Sequence, residues 1–308
     1  MLIPADWLWI PVTVWAAFAQ TVRNAAQRHL TAQLGTLGAT LVRFLYGLPF
    51  AALWLAVAGA WAASPLPRAN VLFAAWVLVG ALSQIAATAL LLRTMQARNF
   101  ALGVAYSKTE VLQVAVFGFA VLGEAISGAT ALAVAAGTIG VLLLSPADHA
   151  RPLRALVTGW TSRTALLGLA CGGLFAMSAV GYRGAALELT QTPFLLAGAF
   201  TLASAQLMQT VLLGGWLLVR NRDVVRRVLR AWRISLFAGF MGAAASAGWF
   251  TAFAIEPVAH VRTLGLIELL FSYAVSRRLF RERLSRLEMT GMALLAVGVA
   301  IVTIAHAE

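Results

Sequence analysis

The chain has 308 residues, 61% of them hydrophobic and 11% charged, with a formal net charge of +12. Soluble domains carry about a quarter charged residues, so most of this chain belongs where charge is expensive. The basic residues fall in short connections between apolar stretches, the pattern that sets membrane topology. That excludes nucleic acid as the partner of the positive charge.

Apolar stretches of about 20 residues recur to the C-terminus, each long enough to cross a roughly 30 Å hydrocarbon core as a helix. A barrel would show alternating segments of about ten residues, and none is present. The fold class is therefore all-α integral membrane. Ten spans follow in chain order, near 4–22, 37–60, 70–92, 100–122, 127–145, 164–186, 194–219, 232–254, 258–277 and 287–305. The first basic residue is Arg23, so the opening stretch is expected to be a retained span rather than a cleaved signal peptide. Breaks fall at runs such as Ala63-Ser64-Pro65-Leu66-Pro67-Arg68 and Ser145-Pro146-Ala147-Asp148.

The odd-numbered connections hold 18 arginines, from Arg23 and Arg28 to Arg283 and Arg286, against only Arg68 and Arg183 in the even-numbered ones. This bias places the odd connections in the cytoplasm and both termini outside a bacterial-type inner membrane. The one cysteine, Cys171, lies within an apolar span, so no intramolecular disulfide forms.

A shift of 158 residues aligns Glu110 with Glu268, Glu124 with Glu282, Ser127 with Ser285, Gly140 with Gly298 and Thr88 with Ser246. The chain has eight glutamates, so two coincidences among them carry weight. Two five-span halves are implied, 1–147 and 160–308, joined by a cytoplasmic connection at 148–159. An odd number of spans per half inverts the second half, an architecture frequent among secondary transporters.

The stretches Tyr106-Ser107-Lys108-Thr109-Glu110 to Leu122-Gly123-Glu124 and Val261-Arg262-Thr263-Leu264-Gly265 to Phe280-Arg281-Glu282, with Arg43-Phe44 in the second span, resemble the EamA-type repeats of the drug/metabolite transporter superfamily. The resemblance implies a ten-helix transporter of two inverted repeats that moves a small metabolite, with amino-acid export the leading expectation. Ten-helix members of that superfamily are thought to place both termini in the cytoplasm. The arginine bias here argues the reverse.

Charges within spans cost roughly 2.5–3.5 kcal/mol on insertion scales and face a partner or a cavity. Five stand out: Arg43, Lys108, Glu110, Arg262 and Glu268, and Lys108 is the only lysine in the chain. On continuous helices Tyr106, Glu110 and Gln113 share one face, as do Gly265, Glu268 and Ser272. A midplane carboxylate can take up a proton, hold a substrate ammonium or neutralise a nearby cation. Lys108 and Glu110 are two residues apart and point in different directions, so each needs a partner from another span. Gln84 and Trp249, like Gln20, Gln206, Gln209, Tyr182 and Trp15, either line a cavity or bond and pack helices together.

Catalytic and nucleotide-binding motifs are absent, as are paired cysteines. The expectation is a monomeric, non-enzymatic secondary transporter without cofactors. Its partners would be membrane lipids and a small polar or zwitterionic substrate, with proton coupling through the glutamates. Export of organic cations or drugs, or a non-transporting membrane scaffold, are the alternatives.

Overall fold

In the computed structural model, which describes residues 7–97, 107–108, 110–123, 125, 127–128, 131–132, 135–136, 139, 163–189, 191–280, 290, 293–294, 297 and 301, helix is the regular structure throughout the described residues. The expected spans 127–145 and 287–305 lie largely outside them.

Helix α1 (Trp9–Leu45) is broken once, at Gly35, where φ of 71° and ψ of 173° suit only a residue without a Cβ. Hydropathy alone ends the first helix near residue 22 and leaves Arg23 and Arg28 in a connection. Instead the helix runs through both to Leu34. The cause is a polar stripe at helical spacing: Arg23, Asn24, Gln27 and Thr31 are buried rather than solvated. Gln27 Nε2 donates to the Ala39 carbonyl at 2.8 Å, tying the two arms of α1 together across Gly35.

The expected continuous span 37–60 is also broken. α1 stops before Tyr46-Gly47, and α2 (Leu48–Ala62) begins afresh with Pro49 in its first turn, where a missing N–H costs nothing. α3 (Val71–Ala97) starts at Asn70, whose side chain accepts from the Phe73 N–H at 2.6 Å. Then come α4 (Glu110–Phe117), a π-helical turn over Gly118–Leu122, α5 (Arg163–Leu187) and α6 (Phe194–Arg220). A short α7 (Arg222–Arg230), read from sequence only as a charged connection, leads to α8 (Trp232–Ile255). The expected span 258–277 is two helices, α9 (Val258–Leu264) and α10 (Ile267–Phe280).

Five helical stretches among the described residues are long and apolar enough to cross a membrane: Trp9–Ala62, Val71–Thr94, Leu166–Leu187, Phe194–Arg220 and Trp232–Ile255. The first has 54 residues, enough for two passes at about 20 each. Burial supports the same conclusion. Large apolar side chains stand fully out, Trp61 at 79% exposure and Val71 at 88%, while arginine, lysine and glutamate are buried. Water would penalise both halves of that pattern, and lipid favours it. The protein is an all-α membrane protein.

The chain divides into two packed units. One comprises Met1–Ile85 and Ser178–Pro257. Within it α8 lies along α1, with Gly248 against Ala16, and α2 packs on α6 through Ala58, Leu196 and Ala199. α3 meets α5 so closely at Gly80 and Gly181 that a Cβ on Gly181 would stand 2.9 Å from the Gly80 nitrogen. The other unit comprises Ala86–Met177 and Val258–Glu308. There α4 packs against α9, Gln113 Nε2 donates to the Leu169 carbonyl at 3.3 Å, and the Cys171 thiol donates to the Ala87 carbonyl at 3.3 Å.

Candidate functional site

The second unit gathers four of the five charges singled out in the sequence. Each glutamate sits where a helix restarts. Glu110 opens α4, and its neighbour Val111 donates back to the Lys108 carbonyl at 3.2 Å, one residue tighter than an α-helical bond. Glu268 lies in the first turn of α10, and its neighbour Leu269 donates to the Leu266 carbonyl at 2.9 Å in the same i to i−3 pattern. Two residues 158 apart thus share one local geometry. A short tightened turn within a helix often marks a functional hinge. They also put each carboxylate at a helix start, where the backbone dipole favours negative charge.

Side chains cross between these two joints. Lys108 Nζ donates to Glu268 Oε2 at 2.5 Å, and Arg262 Nη1 meets Glu110 Oε1 at 3.3 Å. The four residues are between 1% and 6% exposed. Lys108 and Glu110 each find their partner on another helix, as their spacing demands. Arg262 turns inward to an ion pair and does not reach out to the interface. Two cations and two anions give a buried cluster without net charge, and desolvation is tolerable for each ion only because its partner is in place.

The neighbouring candidates fall into place around these charges. One turn beyond Glu268, the Ser272 hydroxyl is buried with no hydrogen-bond partner among the described residues. One turn beyond Glu110, Gln113 is held by Leu169. The face expected for Gly265, Glu268 and Ser272 is interrupted, because Gly265 lies in the turn between α9 and α10. Tyr106 lies outside the described residues.

The fifth charge, Arg43, is buried in the first unit. Its side-chain stem and that of Arg23 both border Gly242 of α8. Arg23 was missed in the sequence because it was counted with the connections. Glu256, also buried, was not singled out at all. The signal for Arg23 was present in the spacing of Arg23, Asn24, Gln27 and Thr31. No comparable polar stripe in the sequence leads to Glu256, which stands at the C-cap of α8.

Also in the first unit, Gln84 Oε1 accepts from Gln209 Nε2 at 2.7 Å and from the Tyr182 hydroxyl at 3.3 Å, while Gln209 Nε2 lies 2.9 Å from that hydroxyl. Tyr182 packs on Phe250 at 4.4 Å between ring centroids. Trp249 is buried and donates to Gln20 Oε1 at 3.0 Å. Trp15 instead lines an apolar cleft of about 480 Å³ with Phe50, Trp54 and Phe240. No cluster of His, Cys, Asp and Glu suited to a metal occurs among the described residues.

No protein-family model matches the chain, and no curated protein matches it in sequence. Twenty-five chains of solved structures do match. One, described only as the crystal structure of a protein, has a TM-score of 0.64 at 16% identity, over 98% of this chain and 97% of its own. At that identity the likeness is one of fold.

Proposed function

We propose that the protein is a ten-span secondary transporter of a small zwitterionic metabolite, an amino acid foremost, exported across a bacterial-type inner membrane with both termini outside. The observation that carries this is the crossed pairing of Lys108 with Glu268 and Arg262 with Glu110. Buried ion pairs are poor stabilisers compared with apolar residues of the same size. Four such ions around two interrupted helices are therefore better accounted for by work than by stability. A ligand carrying one ammonium and one carboxylate can replace one cation against a glutamate and one glutamate against a cation. The cluster then stays neutral, and neither stranded ion is left in the membrane. A singly charged ligand leaves the exchange unbalanced.

Interrupted helices with charges at their breaks are a recurrent feature of transporters built from inverted repeats. The shared turn geometry at Glu110 and Glu268 supports such a repeat, as does the resemblance to EamA-type sequences. The absence of a nucleotide motif points to an ion gradient or facilitated flow, with the glutamates as the proton carriers.

One observation favours amphipathic organic cations instead: the apolar cleft lined by Trp15, Phe50, Trp54 and Phe240. Purified protein in proteoliposomes separates the two. Uptake of radiolabelled amino acids that Glu110→Gln and Glu268→Gln abolish, in variants that still elute as folded monomers, supports the zwitterion. Flux of organic cations alone, or of neither class, refutes it.

A further inference from the structure

We propose that α7 and its two flanking arginines form a docking ledge for anionic phospholipid headgroups. At about 100° per residue, Arg222, Arg226, Arg227 and Arg230 fall within one arc of about 140°, and Val224, Val225 and Val228 fall opposite. The apolar face is already covered: these three valines are buried, and Val224 and Val228 close over Gly38 of α1. The basic face is left outward with all four of its arginines exposed, and Leu229 is exposed beside it.

The helix is firmly built. Asn221 caps its start by accepting from the Val224 N–H, Asp223 lies in the first turn, and Arg227 and Arg230 lie in the last. The Tyr46 hydroxyl donates to the Val228 carbonyl at 3.1 Å near the other end. Single residues, Asn221 and Ala231, join it to α6 and α8, so it is held at the level where those two apolar helices end.

That level is marked from both sides. α6 arrives through exposed Trp216 and Val219 to Arg220, and α8 departs from exposed Trp232 and Arg233, the guanidinium lying over the indole at 5.5 Å. Tryptophan beside arginine at the end of an apolar span identifies the headgroup layer. Counting Arg220 and Arg233, six exposed arginines meet one carboxylate here, Asp223, which pairs with Arg226 at 3.2 Å. A cluster of four to eight basic residues on an amphipathic helix at the membrane surface is a counter-surface for phosphate diesters in the bilayer. The positive-inside bias accounts for the sign of these charges. It does not account for their collection on one face of a capped helix whose other face is packed away.

This inference rests on the membrane-spanning character of the chain alone and is independent of any substrate. The test uses full-length protein in neutral detergent, with lipid binding followed by native mass spectrometry. Phosphatidylglycerol, phosphatidylcholine and inorganic phosphate are the probes. Phosphatidylglycerol is expected to bind preferentially. The combined variant Arg226→Gln, Arg227→Gln, Arg230→Gln should lose that preference by about fivefold for each charge removed. The same three positions changed to Lys should keep it, as should Arg68→Gln, a control at an exposed arginine elsewhere. If the triple Gln variant does not fold, single Gln variants at Arg227 and Arg230 decide. Equal binding of phosphatidylcholine, undiminished phosphatidylglycerol binding by the Gln variants, or competition by inorganic phosphate at comparable concentration would overturn the proposal.

Discussion

Lys108 and Glu268, separated by 160 positions in the chain, meet at 2.5 Å with both side chains almost wholly buried. Their partnership is closer than that of Arg262 with Glu110 at 3.3 Å. It fixes the order of effects expected when the cluster is taken apart.

Glu268→Gln keeps volume and some hydrogen bonding but leaves the Lys108 ammonium buried against a neutral amide. Removing one member of a buried pair costs roughly 3–5 kcal/mol, so a large fall in melting temperature is expected. Adding Lys108→Met should restore most of it, because the double variant has no stranded charge. A double-mutant cycle on detergent-solubilised protein measures this directly. Additive losses would show that the two side chains do not support one another.

Within the polar knot of the first unit, Gln84 accepts two hydrogen bonds. Gln84→Leu removes the acceptor shared by the Tyr182 hydroxyl and a Gln209 N–H, leaving Gln209 only its contact with Tyr182, whereas Tyr182→Phe removes one hydroxyl and leaves Gln209 bonded to Gln84. At about 1–3 kcal/mol for each buried group left unsatisfied, Gln84→Leu is expected to be the more damaging, and thermal unfolding ranks the two.

The crossing of α3 and α5 depends on bare backbone. Gly181→Val brings a branched side chain to where even a Cβ would stand 2.9 Å from the Gly80 nitrogen and 3.1 Å from the Trp76 carbonyl oxygen. Backbone cannot yield as a flexible side chain does, so a strongly destabilised or misassembled protein is expected. Gly215→Ala, which meets nothing within 4 Å, is expected to be neutral or slightly stabilising through helix propensity. Yield and monodispersity on size exclusion report both outcomes.

Orientation is open to reporter fusions. Fusions after Asp223 and Arg283 are expected to report cytoplasm and a fusion at Glu308 the outside. The reverse at all three would invert the topology, and mixed signals would mean a different number of spans.

Much of this was legible in the residues. Membrane-crossing helices announce themselves by length and apolarity, and the four central charges by their cost. Their need for partners on other helices followed from the spacing of Lys108 and Glu110. Which cation meets which anion did not follow, because pairing depends on how α4 and α9 pack. Helix breaks were harder still. Tyr46-Gly47 and Gly265-Leu266 interrupt stretches of unbroken apolar character, and hydropathy does not register a tightened turn. Arg23 was misplaced for the opposite reason. A charge after an apolar run resembles a helix end, unless the polar residues that follow it, Asn24, Gln27 and Thr31, are seen to continue on one face.

The thiol of Cys171, buried and bonded to the Ala87 carbonyl, makes the wild-type chain a silent background for water-soluble maleimides. With no other cysteine to remove, a reporter cysteine can be introduced singly at Arg68, Arg227 or Ser272 while every native residue elsewhere stays in place. Differential labelling from the two sides of sealed vesicles would then read sidedness at Arg68 and Arg227, and solvent access at Ser272. A change in the Ser272 signal on adding a candidate substrate is the outcome expected if the charged cluster is the proposed site, and it needs no measurement of flux.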